Sequence, residues 1–217
     1  DVAGVSFGLP RTGLVFVEGR GDARQVVSRR EEEDLAAVVP AGWSSQVLLL
    51  SGLTPALPHP AALCKAARRA RRSSTIVVVD VNARQHMWAG RDSRAIRSVL
   101  HEADVVRCST DDLAVLMMDP AAVRAAMRPT AVLVLTDPAG TSRVSGAFGE
   151  LAQRPAIAPA QGPLAAAPQV GAPSGTGDGV VASICADLAR LGHAGAERAE
   201  LWERALARDG SPARAVD

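Results

Sequence analysis

Thr75-Ile76-Val77-Val78-Val79-Asp80-Val81-Asn82-Ala83-Arg84 is the stretch of sequence that decides the fold. Its apolar run is continuous and β-branched, which is typical of a strand buried on both faces in a parallel sheet. Polar side chains follow at Asp80, Asn82 and Arg84. Ligands bind beyond the carboxyl ends of strands in open α/β sheets, so these residues are candidates for a binding site. A polar transition from strand to loop explains the same residues without a function.

The rest of the chain alternates strands with helices around this stretch. Further strands are predicted at residues 46–51, 104–107 and 131–136, and helices at residues 60–72, 92–102, 109–117 and 120–128. Apolar runs separated by helices indicate a three-layer α/β/α, doubly wound and mainly parallel sheet. The sequence therefore predicts the α/β class.

The two ends of the chain add fewer elements. Residues 12–18 and 25–28 predict a short β-hairpin, and residues 31–39 a short helix. Residues 155–173, rich in Ala and Pro, predict a loop. Helices are expected at residues 176–191 and 194–207. We interpret residues 1–217 as a single domain.

Composition excludes several function classes. Among 217 residues, 24 basic and 23 acidic side chains give a net charge of +1, so no bulk field attracts nucleic acid or an anionic membrane. The four His and three Cys are scattered without metal-ligand spacing. No secretory signal is visible, and prolines interrupt the uncharged stretch 155–177, so we expect a soluble, cytoplasmic protein.

The strongest local motif is Ser174-Gly175-Thr176-Gly177-Asp178-Gly179, at the start of the predicted helix 176–191. Glycines let backbone amides approach an anion, and a helix N-terminus adds a partial positive charge there. A carboxylate in such a place makes sense if it takes a proton from a hydroxyl that attacks a phosphate. The alternative is a glycine-rich turn in which Asp178 only complements the helix dipole.

A third motif, Ser109-Thr110-Asp111-Asp112, follows the predicted strand 104–107. A helix cap explains it well without a function.

Together, these motifs resemble the ribokinase-like (PfkB) family of sugar kinases. The stretch from Ala172 to Val180 resembles the signature near the carboxyl end of the family, and Asp80 to Trp88 resembles its D-x-N-x-R-x-x-x-W stretch. Ala103 to Asp112 is similar to the segment that runs into the family's N-x-x-E motif. Residues 12–17 and 51–53 have counterparts in the same order, so the resemblance covers nearly the whole chain.

The resemblance implies an ATP-dependent carbohydrate kinase that phosphorylates a hydroxyl of a small sugar or sugar acid. Asp178 would be the base that activates this hydroxyl. Gly175, Thr176 and Gly177 would form the anion hole for the phosphoryl group. The implied cofactors are ATP and Mg²⁺, and the implied partners are the sugar and ATP. The balanced charge predicts neither nucleic acid nor a membrane as a partner. A homodimer is also open.

Five further residues receive roles from the resemblance alone. Asp112 stands where the family has a Glu that organises Mg²⁺ through water, so no direct metal ligand is expected. Thr136 and Gly140 would lie in the nucleotide-side loop. Asn82 and Arg84 would face the acceptor or the transferring phosphoryl group.

The sequence also departs from the family pattern. The signature has Ala172 in place of its leading Asp, and the nucleotide loop has Pro138 in place of a Gly. The amino-terminal portion, which supplies sugar-gripping residues and part of a lid in the family, has no counterpart here. These departures favour an alternative function, that of a catalytically degenerate homologue that binds a nucleotide or a partner protein.

Overall fold

The computed structural model describes residues 14–18, 25–29, 45–51, 60–83, 88, 94–137, 141–146, 149–154 and 176–193. The strands are β1 (Leu14–Glu18), β2 (Gln25–Arg29), β3 (Val47–Ser51), β4 (Ile76–Asp80), β5 (Val105–Ser109), β6 (Val132–Thr136), β7 (Ser142–Gly146) and β8 (Gly149–Arg154). The helices are α1 (Pro60–Arg72), α2 (Arg94–Glu102), α3 (Thr110–Leu116), α4 (Pro120–Ala126) and α5 (Thr176–His193).

Six strands form one mixed sheet in the order β3-β4-β5-β6-β7-β8. The pairs from β3 to β6 are parallel, whereas β7 runs antiparallel to both β6 and β8. Strands β1 and β2 form a separate antiparallel pair. The predicted α/β class, the parallel core of the sheet and the initial hairpin are therefore confirmed.

The prediction missed strands β7 and β8. Their sequences, Ser142-Arg143-Val144-Ser145-Gly146 and Gly149-Glu150-Leu151-Ala152-Gln153-Arg154, contain no continuous apolar run. Val144 is fully buried while Arg143 beside it is exposed, so β7 has one face in the core and one in solvent. A half-exposed antiparallel strand needs only every second residue to be apolar. The predicted helices 31–39 and 194–207 and the loop 155–173 lie outside the described residues.

Two apolar clusters pack against the two faces of the sheet. Alternate residues of β4, β5 and β6 join α1, α2, α3 and α4 in the larger cluster. The residues between them, including Val78, Val105 and Val134, pack against Val180, Ile184 and Leu188 of α5. Helices thus cover both faces, which explains why the central strands are continuously apolar. None of the helices in the described ranges is long and apolar enough to cross a membrane.

Candidate active site

The carboxyl ends of β4, β5 and β6 lie side by side at one edge of the sheet. Their parallel register aligns Asp80 with Arg107, and Ser109 with Thr136. Asp80 and Thr136 are the last residues of their strands, and Arg107 lies two residues before the end of β5. This edge is where the sequence predicted a site.

Strand alternation places Asp80, Arg107 and Thr136 on the same face of the sheet. Each of them lies two residues beyond a valine that packs against α5, namely Val78, Val105 and Val134. Side chains two residues apart in a strand point to the same face. The three polar side chains therefore share the α5 face, where the apolar cluster ends.

Arg107 links these strand ends through its guanidinium group. Its Nη1 donates to Asp80 Oδ1 at 3.1 Å, and its Nη2 donates to Thr136 Oγ1 at 2.8 Å. Nη1 also lies 3.9 Å from Asp112 Oδ2. The Arg107 side chain is 9% exposed, and its Nε has no hydrogen-bond partner within the described part of the chain. A buried guanidinium that pairs with a carboxylate and a hydroxyl holds both in fixed positions.

Asn82 lies in the short segment of residues 80–82 at the end of β4. The Val81 N–H donates to the backbone oxygen of Arg107 at 2.8 Å. Asn82 then adopts a φ of +33°, in the left-handed half of backbone space, which Asn tolerates better than most residues. The segment 80–82 is therefore held by both the side chain and the backbone of Arg107. Arg84, the other predicted acceptor residue, lies outside the described residues.

Ser109 and Asp112 form a capping box at the start of α3. Ser109 Oγ accepts from the Asp112 N–H at 3.1 Å, and the Ser109 N–H donates to Asp112 Oδ2 at 2.7 Å. The predicted helix cap is confirmed, and of the two candidates, Ser109 and Thr110, the structure has Ser109 as the capping residue. The same contacts fix the Asp112 carboxylate beside Arg107, so the cap and a place at the site edge coexist in one residue.

Thr136 connects β6 to the neighbouring strand through its hydroxyl. Besides accepting from Arg107, Thr136 Oγ1 donates to the backbone oxygen of Cys108 at 3.3 Å. Beyond β6, the Thr141 N–H donates to Asp137 Oδ1 at 2.8 Å. Gly140, the other residue predicted on the nucleotide side, lies outside the described residues.

Helix α5 begins at the glycine-rich motif. Thr176, Gly177 and Asp178 are its first three residues, and Gly175 lies outside the described residues. The predicted helix start is therefore confirmed, whereas the roles of the anion hole and the base stay predictions. Farther along α5, burial raises the pKa of the half-buried Cys185 thiol, and the negative charge of Asp80 raises it further.

The pKa of the buried Cys108 thiol depends on the charged residues of the candidate site. Burial, the largest cause, and the negative charge of Asp112 together raise the pKa of the thiol to about 12, against a smaller lowering by the Arg107 charge. A thiol with this pKa stays protonated at neutral pH and is a poor nucleophile. In the described ranges, no group of three His, Cys, Asp or Glu side chains is placed to bind a metal ion.

Arg107 was missed when the sequence was analysed for functional residues. The signal was present, because Val105-Val106-Arg107-Cys108 places a cation inside a buried strand. Charged residues are almost never fully buried unless they are paired. A buried strand with one arginine therefore predicts a carboxylate on an adjacent strand, and Asp80 is that partner.

Comparison with known proteins shows the fold. No family model and no curated protein matches the sequence. The chain is similar to the structure of a fructokinase from Xylella fastidiosa with bound ATP, with a TM-score of 0.63 and 18% identity over 90% of this chain and 61% of that one. It is also similar to an aminoimidazole riboside kinase from Salmonella enterica complexed with aminoimidazole riboside and an ATP analogue, with a TM-score of 0.59 and 23% identity over 80% of this chain and 57% of that one.

A third similar structure is a PfkB protein from Polaromonas sp. JS666, with a TM-score of 0.57 and 19% identity over 90% of this chain and 65% of that one. The chain thus spans 57% to 65% of the length of these three structures. At identities of 18% to 23%, the similarity establishes the ribokinase-like fold that the motifs predicted.

Proposed function

We propose that this chain belongs to a kinase that transfers the γ-phosphoryl group of ATP to a hydroxyl of a small sugar or sugar acid. The observation that carries the proposal is the polar cluster of Asp80, Arg107, Asp112 and Thr136 at the carboxyl edge of a ribokinase-like sheet. Solved structures with this fold include kinases with bound ATP or an ATP analogue.

Asp112, Thr136 and Gly140 are proposed for the nucleotide side. Mg²⁺ prefers oxygen ligands and keeps several of its waters in kinase sites. The described contacts of the Asp112 carboxylate, with the Ser109 N–H and with Arg107, both use Oδ2. Contact with Mg²⁺ through water rather than direct ligation is proposed from the resemblance, which places Asp112 where the family has its Glu. Bound Mg²⁺ would supply neutralisation of the phosphate charge during transfer.

Asn82 and Arg84 are proposed to orient the acceptor, and Asp178 to act as the base. The acceptor hydroxyl gives its proton to the Asp178 carboxylate while its oxygen forms a bond to the γ-phosphorus. The bond from that phosphorus to the bridging oxygen breaks, and ADP leaves. The backbone amides of Gly175, Thr176 and Gly177 would stabilise the negative charge on the transferring group.

The expected contributions decide which substitution is most informative. A positioned base contributes about 10²–10⁴-fold to the rate, and one anion-hole donor about 3 kcal/mol of barrier. Backbone donors survive side-chain substitution, whereas the base does not. Asp178→Asn is therefore the sharpest test, because it removes the base and keeps a side chain of nearly the same shape.

The experiment measures ADP release by the intact protein with a panel of sugars, sugar acids and ribosides, and repeats it for Asp178→Asn. The matched control is Asp187→Asn, which makes the same change farther along α5, where Asp187 pairs with Arg190 at 3.1 Å near the surface. We expect Asp178→Asn to lower kcat by at least about 10²-fold, with ATP affinity unchanged. Asp187→Asn should stay within about twofold of the wild type.

Two results would contradict the proposal. Undiminished kcat in Asp178→Asn would show that this carboxylate only complements the helix dipole. ATP binding without ADP release for any acceptor would favour a catalytically degenerate, nucleotide-binding homologue, the alternative that Ala172 and Pro138 support.

A further inference from the structure

Arg107 contacts both halves of the proposed site. On the acceptor side, its side chain binds Asp80 and its backbone oxygen binds the Val81 N–H, so it holds the segment 80–82, which contains Asn82. On the nucleotide side, the same guanidinium binds Thr136 at 2.8 Å and lies 3.9 Å from Asp112. One planar group thus fixes the relative positions of three strand ends and one helix start.

We infer that Arg107 is a positioning residue, which fixes the acceptor-side segment 80–82 relative to the nucleotide-side residues Asp112 and Thr136. This inference rests on the proposed kinase function. Both Nη atoms of Arg107 donate hydrogen bonds to protein oxygens, and the side chain is 9% exposed. The guanidinium is therefore held by the protein and is not free to move with a bound ligand. Its effect on phosphoryl transfer passes through Asp80, Asn82, Asp112 and Thr136. A displacement of about 1 Å between reacting groups costs about 10²-fold in rate.

A second buried ion pair separates positioning from stability. Arg128 binds Asp104 and the backbone oxygen of Ala103, and its side chain is 15% exposed. Asp104 also accepts from the Val77 N–H at 2.9 Å, at the amino ends of β4 and β5. Arg128 therefore resembles Arg107 in burial and pairing, but it lies at the amino ends of the strands, opposite the carboxyl ends that form the candidate site. It provides a matched control for a substitution that only destabilises the fold.

The test compares Arg107→Met and Arg107→Lys with Arg128→Met and Arg128→Lys in the intact protein. Each variant is assayed at a temperature at which urea unfolding shows it folded. We expect Arg107→Met to lower kcat/KM for the acceptor by about 10²-fold, with kcat and KM both affected, and to weaken binding of a non-hydrolysable ATP analogue. Arg107→Lys should recover part of this loss, because an ammonium can pair with a carboxylate but cannot span Asp80 and Thr136 as a fork. Arg128→Met should change kcat/KM by about twofold at most.

Hydrogen exchange without ligands gives a readout that is independent of activity. The Val81 amide should exchange faster in Arg107→Met than in Arg128→Met when the two are compared at equal global stability. Only Arg107→Met frees the segment 80–82. Equal exchange at Val81, or kinetics that match those of the Arg128 variants, would overturn the inference and make Arg107 an ordinary structural ion pair. If Arg107→Met does not fold, Arg107→Lys decides by the same two comparisons. A wild type that neither releases ADP nor binds the ATP analogue would instead overturn the proposed function. Hydrogen exchange at Val81 would still decide whether Arg107 holds the segment 80–82.

Discussion

Thr136→Val removes one hydroxyl from the buried edge of the sheet and keeps the shape of the side chain. The lost hydroxyl accepts from Arg107 Nη2 at 2.8 Å and donates to the Cys108 backbone oxygen at 3.3 Å. A hydrogen bond to a charged group contributes about 1.5–3 kcal/mol. The new methyl group returns about 0.8 kcal/mol through burial. We therefore expect the free energy of unfolding to fall by about 1–2 kcal/mol.

A double-mutant cycle isolates the contact that this prediction depends on. Arg107→Met alone leaves the Asp80 carboxylate without this cation, and breaking a buried pair costs about 3–5 kcal/mol. In that background the Thr136 hydroxyl has lost its charged partner, so adding Thr136→Val should cost almost nothing. The coupling between the two substitutions should therefore be about 1–2 kcal/mol, the whole cost of Thr136→Val in the wild-type background, as expected for residues in direct contact.

Urea unfolding measures all four corners of the cycle. With a slope of about 2 kcal/mol per molar, Thr136→Val should lower the midpoint by about 0.5–1 M. Thr136→Val combined with Arg128→Met serves as the control, because Arg128 lies at the opposite edge and the two losses should add. Additive losses for Thr136→Val and Arg107→Met, within about 0.5 kcal/mol, would refute the reasoning.

Two further predictions concern other buried groups. Burial alone would raise the pKa of Glu102, but its hydrogen bonds and ion pairs with Arg68 and then Arg71 lower it below 4.5 overall. Because the folded pKa is the lower one, the stabilisation is present above about pH 4.5 and is lost as the pH falls through the folded value. Glu102→Gln should therefore unfold at a lower urea concentration than the wild type at pH 7. The difference between the two urea midpoints should vanish towards pH 3, and a difference that is independent of pH would argue against the ion pairs. The Cys108 thiol, with a pKa of about 12, should resist alkylation at pH 8 until the protein is unfolded in urea, and peptide mass spectrometry can locate the label. Rapid labelling of Cys108 in the native protein would show that the strand opens.

The parallel part of the fold could be predicted because its strands are buried on both faces. Ile76–Asp80 and Val132–Thr136 are buried at every position, so their sequences contain uninterrupted apolar runs. The helix Pro60–Arg72 was also predicted at its observed bounds, since a proline starts it and arginines end it. The strands Ser142–Gly146 and Gly149–Arg154 lack such a run, and their pairing depends on contacts that a local pattern does not contain.

The candidate site could be predicted only in part. The polar residues at and after the end of Ile76–Asp80 were expected at the carboxyl ends of the strands, and the structure places Asp80 and Asn82 there. Thr136 was expected on the nucleotide side from the resemblance alone, and it is the last residue of Val132–Thr136. Arg107 was not predicted because no family motif contains it, although a single arginine inside a buried strand indicates a carboxylate on a neighbouring strand, and cross-strand pairing provides Asp80. The roles of Asp178 and Gly177 rest on resemblance, and the proposed kinetic experiments address them.

The Arg107 guanidinium in the middle of β5 also favours the native alignment of β4, β5 and β6 over shifted alignments. Valines occupy so many positions of β4, β5 and β6 that several offsets between these strands would bury similar apolar area. A shift of β5 by one residue would turn Arg107 towards the face covered by α1 to α4, where Val79 and Leu133 belong to an apolar cluster. An unpaired charge buried there costs several kcal/mol, whereas the native alignment provides Asp80 and Thr136. A single polar residue thus distinguishes one strand offset from its neighbours where the valines alone would not.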